Sequence, residues 1–449
     1  MATAEQSTFE TSEVASPADR KQVWTFYVMW FGQLVSQIGS GLTMFAMGVY
    51  VYQQTGSAAK FTTIALLSAL PGLALMPIAG ALVDRWDKRW TMLLSDAICG
   101  LGTLSMLLLT VTGRLTIAHI YICVVLFSMA GTFGYLAYYP AITLTVPKRM
   151  LGRVSGMTHA SQATSQIAGP LLGGLMIAFM GLQSIFLVDV LTFIFGIATL
   201  LIIKIPKVQK TEEENASPSI FREAIYGWTY IKERPSLLAV LLFFTTTNFF
   251  LTMALVLFSP MILSFHPAQT LGTLSSISGV GLLAGSLVMS AWGGPKDRIR
   301  GVLGFSMIVS VSLILIGLTP LVLIIAPAIF ALYFAIPLVN SCSQALWQTK
   351  TSAEVQGRVF SLRRMLSSCM APIAFVVAGR ISDRWFEPML ASGGVLSDSV
   401  GRLLGVGPGR GMAFIFVLCG SIALILQMTA FRFPTLRRAE SILPDAISD

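Results

Sequence analysis

Charge is what this sequence has least of. Asp, Glu, Lys and Arg together make up 11% of its 449 residues, while 55% are hydrophobic and the mean hydropathy is +0.76. A soluble globular domain carries about a quarter charged residues, so an ordinary water-facing surface is ruled out. Metal and redox chemistry is equally poorly provided for. The five cysteines (Cys99, Cys123, Cys342, Cys369, Cys419) lie inside apolar stretches without metal-ligand spacing, which argues against a disulfide framework or a zinc site. The three histidines, His119, His159 and His266, are scattered. No clustered His, Cys or carboxylate constellation exists, so the chain does not read as an enzyme. A Gly-x-x-x-x-Gly-Lys-Ser/Thr run is missing, which argues against ATP drive within this chain. No cofactor is expected. Segments of alternating polarity about ten residues long, the mark of a transmembrane barrel, are missing too.

What remains is a series of apolar stretches of roughly 20 residues or more, the length a helix needs to cross about 30 Å of hydrocarbon. A chain solvated by lipid must satisfy its backbone internally, so these stretches are helices. The expected fold is an all-α membrane protein with twelve transmembrane helices in two pseudo-symmetric bundles of six. The spans fall at 24–53, 60–83, 90–112, 117–143, 155–180 and 183–204, then 236–265, 270–293, 302–319, 321–348, 358–384 and 411–432. Residues 1–23 and 433–449 are polar tails, and the N-terminal one lacks a signal-peptide layout. Bundles 24–204 and 236–432 are joined by a linker, 205–235, holding the acidic run Glu212-Glu213-Glu214. Apolar residues at 221, 224, 225, 228 and 231 give the end of that linker a helical period, expected of an amphipathic helix on the membrane surface.

The net charge of +9 does not point to nucleic acid, because the basic residues sit in short interhelical clusters. Taking the tails and the loops after even-numbered helices as one side, the opposite side keeps only Lys60, Arg114, Arg380, Arg384, Arg402 and Arg410. That bias predicts both termini in the cytoplasm of a multi-pass cell-membrane protein. The halves also echo each other. Gly152-Arg-Val-Ser155 returns as Gly357-Arg-Val-Phe-Ser361, and Asp84-Arg85 as Asp297-Arg298, at offsets of 205 and 213 residues. Such an echo suggests duplication, a known transporter plan with the substrate between the repeats.

The sharpest motif is Gly80-Ala-Leu-Val-Asp84-Arg85-Trp-Asp-Lys88-Arg89 between the second and third spans. Gly80 can let its helix approach a neighbour closely. Asp84, at a helix end, can meet the positive N-terminus of another helix. The loop resembles the hallmark of the major facilitator superfamily. The resemblance implies that Asp84 latches onto the start of the eleventh helix near Gly357 when the cytoplasmic side is closed. The sequence departs from the family at Asp87, where a glycine is usual. In the fifth span, Gly169-Pro170-Leu-Leu-Gly173-Gly174 combines small residues four apart with a proline, suited to close packing and bending. It resembles the C-terminal part of the antiporter motif of drug exporters, with Thr164 where an earlier glycine is expected. The segments Trp30–Gly39, Gly227–Ile231 and Gln356–Phe360, with the Asp189 region, resemble the drug:proton antiporter branch that holds macrolide-efflux-like and enterobactin-exporter-like proteins. The segment 386–410 resembles a long outer loop of some bacterial members.

Charges inside a membrane are costly and mark functional positions. Asp96 and Asp189 are the candidates for proton coupling; each could equally anchor an interhelical hydrogen bond, or, for Asp96, pair with a loop arginine. The first span holds no acidic residue. Mid-span polarity nominates Gln33, Gln37, Asn248, Asn340 and Gln344 for a polar, uncharged cavity, with Tyr138 and Phe249 adding aromatic surface. The expected function is a secondary active transporter, working as a monomer by alternating access and exporting a small organic substrate against inward-moving protons. The resemblance implies a drug, macrolide, siderophore or similar natural product. A lysophospholipid flippase or nutrient importer of the same fold is the alternative, and a membrane receptor or scaffold without transport the rival of another class.

Overall fold

Between the apolar runs, single polar residues stop one helix and start the next. The computed structural model describes residues 17–146, 150–205, 228–351 and 356–432. The expected C-terminal tail, most of the N-terminal tail and linker, and residues 221–227 of the expected surface helix lie outside the described residues. Helix α1 (Pro17–Thr55) gives way at Gly56, and the Ser57 hydroxyl accepts the Lys60 amide to open α2 (Ala58–Arg85). Asp87 opens α3 (Lys88–Val111) by accepting the amides of Arg89 and Trp90, which supplies donors at a helix N-terminus with the partner they need. The family's glycine is therefore unnecessary here: Asp87 has a φ of −66°, open to any residue. Helices α4 (Ile117–Thr145), α5 (Leu151–Phe179) and α6 (Gly181–Ile202) complete the first half.

The second half runs through α7 (Pro235–Val256), α8 (Phe258–Phe265), α9 (Ala268–Trp292), α10 (Arg298–Leu318), α11 (Val322–Lys350) and α12 (Gln356–Ile381). A π-helical turn (Ser382–Phe386), the short α13 (Glu387–Met389) and α14 (Gly401–Leu404) then lead to α15 (Arg410–Arg432). The seventh expected span, 236–265, is met by α7 and α8 together as one continuous stretch, Pro235–Phe265, interrupted by a single turn residue at Leu257. The narrow break at Thr319-Pro320 does separate α10 from α11. In the sequence echo, Asp297 caps a helix start as Asp87 does, whereas Asp84 does not. Asp297 opens α10 by accepting the Arg300 amide, whereas Asp84 is the penultimate residue of α2.

Among the described residues no strand occurs, and ten helical segments are long and apolar enough to cross a membrane. The two long helices outside that set are α5 and α12, of 29 and 26 residues. Both sit at the seam between the halves, where neighbouring protein replaces lipid. Within the first half α1 packs on α5 and α6, α2 and α3 pack on α4, and α3 packs on α6. Within the second, α10 packs on α11 and α15, α9 on α11, and α7 on α12 and α15. Two helix pairs make the main joint between the halves, α5 with α9 and α2 with α12, and α1 adds a smaller contact with α8. The first is made possible by glycine. A Cβ on Gly272 would lie 2.5 Å from the Pro170 carbonyl oxygen, and one on Gly174 would lie 2.9 Å from that of Ala268. Small residues allow this approach where no hydrophobic force drives helices together in lipid. The largest apolar core lies on the seam and takes Val49 and Tyr52 of α1 together with Met261 of α8 and Ala374 of α12.

Candidate functional site

The first half encloses a cavity of about 360 Å³ between α1, α3, α4, α5 and α6. Gln33 and Gln37, one turn apart on α1, both reach it, as does Tyr138 of α4. Asp96 and Asp189 reach it too, so the expectation of an uncharged cavity is corrected: two carboxylates line it, and among the described residues no Lys or Arg does. Tyr135, Tyr138 and Tyr139 supply one aromatic wall, with Tyr139 within 4.8 Å of Tyr135 and 5.8 Å of Tyr138, ring centre to ring centre.

The two acids are held differently. Asp189 is 1% exposed, and hydroxyls surround it. Thr43 donates to its Oδ2 at 2.6 Å and Thr103 donates to the same oxygen at 3.0 Å, while Thr192 reaches Oδ1 at 3.4 Å. Gly39 of α1 makes room, since a Cβ there would fall 2.7 Å from Asp189 Oδ1. Asp96 is only half-buried and accepts one bond, from Gln33 Nε2 at 2.8 Å. Of the loop arginines, Arg89 is engaged elsewhere: it donates to the carbonyls of Leu200 and Leu201 at the end of α6, at 2.8 and 2.6 Å. A cation there satisfies the unpaired carbonyls of a helix C-terminus.

The polar residues of the second half do not join this site. Asn248 and Asn340 line a separate cavity of about 70 Å³. Phe249 lines neither cavity and packs on Phe250 and the seam core. Gln344 accepts from Arg363 at 3.2 Å, and the same guanidinium donates to Ser343 at 2.8 Å and sits 5.3 Å from the Trp347 ring centre. Arg363 is a basic residue that sequence reasoning did not single out, and its place two turns inside α12 was the available signal. A third cavity, of about 370 Å³, lies on the seam itself between α1, α2, α5, α8 and α9, and Met44 borders both it and the acidic cavity.

In the hallmark loop, Lys88 donates to the Val83 carbonyl and Arg85 is exposed. The side chain of Asp84 lies outside the described part, and so do residues 352–355 ahead of Gly357. No described atom comes within 4 Å of a Cβ built on Gly80, so the described residues place no close helix neighbour there. In the fifth-helix motif, Gly169 abuts the backbone of Gly41, Gly173 the ring of Phe45, and Gly174 the backbone of α9, while Pro170 lies inside the helix and supplies the carbonyl that faces Gly272. His119 belongs to the cap of α4, and His266 Nε2 is 2.8 Å from the Pro320 carbonyl. Among the described residues no group of His, Cys, Asp and Glu could hold a metal.

The family profile of the Major Facilitator Superfamily matches residues 29–375. Macrolide efflux protein A of Streptococcus pyogenes is 28% identical over 373 residues, covering 80% of this chain and 91% of that protein. The multidrug efflux pump Tap of Mycolicibacterium fortuitum is 23% identical over 369 residues, covering 79% and 88%. Among solved structures, a bacterial homolog of the human lysosomal transporter Spinster, inward-facing and unoccupied, superposes with a TM-score of 0.64 at 14% identity, covering 95% of this chain and 98% of that one.

Proposed function

This chain belongs to the Major Facilitator Superfamily, a family of membrane transporters rather than enzymes, and on that premise we propose that it exports amphipathic organic cations from the cell in exchange for protons. The observation that carries the reading is the cavity with two carboxylates, three tyrosines and, among the described residues, no basic side chain. Uncompensated charges at membrane depth are costly. A proton or a cationic guest relieves that cost, and an exchanger needs a site that accepts each in turn. The tyrosine faces favour an organic cation further, through the ring quadrupole. A polyanion such as a siderophore would meet only repulsion here, so the drug-like end of the exporter class fits best. The efflux proteins among the relatives support the outward direction.

In this reading the carboxylates divide the work. Asp189, ringed by hydroxyls and away from solvent, takes the proton, and Asp96, more open and held by one amide, faces the substrate. The bundles 24–204 and 236–432 rock about the α5–α9 and α2–α12 seams. Both termini lie in the cytoplasm, as the bias of basic residues supports, and one chain suffices. The test is accumulation of fluorescent organic cations and matched anions in an efflux-deficient bacterium, with and without a protonophore. Lower accumulation of the cations alone, abolished by the protonophore, is the expected result. Equal handling of cations and anions, or indifference to the protonophore, would sink the proposal.

A further inference from the structure

Asp383 joins the two halves through a contact that none of the functional residues above makes. It lies in the π-helical turn that follows α12, yet its carboxylate accepts three hydrogen bonds from the start of α2, more than 320 positions away. The Ser57 hydroxyl donates to Oδ2 at 2.5 Å, the Ala58 amide to Oδ1 at 3.0 Å and the Ala59 amide to Oδ2 at 3.0 Å. The amides at a helix start have no partner within their own helix and carry partial positive charge. Asp383 therefore acts as a second cap on α2, supplied by the other half of the molecule. Ser57, the cap from within the chain, turns its hydroxyl proton to Asp383 while accepting the Lys60 amide.

The surrounding packing is built for closure. Gly379, one turn before Asp383, lies so near α2 that a Cβ there would fall 2.2 Å from Thr62 Oγ1 and 2.7 Å from the Ala59 Cα. Ala374 and Ala378, on the same helix, are fully buried in the seam core. The widened π turn resets the helical register at this point, as π turns at functional sites commonly do. The two seam helices also end alike. Asp-Arg-Trp closes α2 at 84–86 and recurs at 383–385 after α12, at the opposite end of this antiparallel pair.

We propose that Asp383 is the latch that holds the outer face of the transporter shut, and that its release from the α2 N-terminus is a required step in opening that face. The proposal rests on the alternating-access reading and on the cytoplasmic placement of the termini, but not on the identity of the substrate or the coupling ion. Because α2 and α12 belong to different halves, any rocking that opens the outer face must pull Asp383 from Ser57. Charge-assisted hydrogen bonds are stronger than neutral ones, and here they resist that motion at the edge where leverage is greatest.

The test uses the full chain with Val49→Cys as a reporter, since Val49 borders the seam cavity and is 2% exposed. Intact cells are treated with a membrane-impermeant thiol reagent, and labelling is read peptide by peptide. The buried native Cys123 and Cys419 report whether each half remains folded. Asp383→Ala should raise labelling at position 49 by about tenfold, equivalent to about 1.4 kcal/mol of lost closed-state preference, with Cys123 and Cys419 unchanged. Ser57→Ala should give a smaller rise in the same direction. Unchanged labelling at position 49 in a folded Asp383→Ala protein would overturn the latch. Should Asp383→Ala expose Cys123 and Cys419 as well, Asp383→Asn, which keeps one acceptor oxygen and the side-chain volume, decides by the same two outcomes. A failed export assay leaves this readout intact, so the two proposals fall separately.

Discussion

Thr43 of α1 and Asp189 of α6, 146 positions apart, share a 2.6 Å hydrogen bond in which the hydroxyl donates to the carboxylate. The same oxygen is reached by Thr103 of α3. Three helices of the first half thus converge on one buried acid with hydroxyls alone. Any change in its charge is felt where α1, α3 and α6 meet, and α1 in turn touches α8 of the other half. The bond links the proposed proton site to the seam.

Replacing Asp189 with Asn keeps the shape but removes the exchangeable charge. Proton-driven uptake into inside-out vesicles should fall by at least about tenfold, a barrier change of about 1.4 kcal/mol, while binding of the transported cation survives. Thr43→Val, which leaves two hydroxyls, should cost less. Uptake by Asp189→Asn at the parental rate would remove Asp189 from the coupling step.

Asp96 should behave in the opposite way. With Asp96→Asn, affinity for a fluorescent organic cation is expected to drop by about tenfold, or about 1.4 kcal/mol, with a neutral analogue of similar shape unaffected. Equal losses for cation and neutral analogue, read by equilibrium binding in detergent, would point to a packing role instead.

At the seam, Gly272→Ala places a methyl group 2.5 Å from the Pro170 carbonyl oxygen. Either α9 must retreat from α5 or the backbone must shift, and overpacking of this kind costs about 1–3 kcal/mol. Thermal unfolding in detergent should register a clear loss. Gly131→Ala, with no described atom within 4 Å of the added carbon, is the matched control and should hold or gain stability.

Glu387 provides a pH test outside the membrane-spanning segments. Its carboxylate accepts the amides of Gly409 and Met412 at 3.0 Å each, pinning the outer loop to the start of α15. Burial pushes this acid above its ordinary value; the Met412 and Gly409 amides pull it back in part, and neighbouring Asp383 adds to the rise. An acid raised by folding holds its proton over a window in which the unfolded chain has released it. Stability should therefore decline as pH rises from the ordinary carboxylate value through the raised one. Glu387→Gln should flatten the melting temperature across that window. A wild-type profile that climbs there would contradict the assignment.

Much of this was legible in the sequence because lipid is an unforgiving solvent. Apolar runs separated by a few charges can only be spanning helices, and Asp96 and Asp189 stood out because ionisable groups are rare at that depth. Gln33 and Gln37 could be paired because residues four apart share a helix face. Other readings needed the folded chain. Asn248, Asn340 and Gln344 have the same mid-span polarity as Gln33, yet they lie in the second half, while the acidic cavity is enclosed by helices of the first half. Asp383, set among Arg380 and Arg384 near a span boundary, looks in sequence like any interfacial charge.

Local composition thus determined which segments lie in the membrane and which residues are out of place there, since hydropathy and helical period act over a few turns. The tertiary structure alone decided that Asp189 would meet Thr43 and Thr103, that Arg363 would lie beside Gln344, and that Asp383 would close on Ser57. Those meetings depend on helix rotation and on contacts between halves hundreds of residues apart, and no local rule of spacing encodes either.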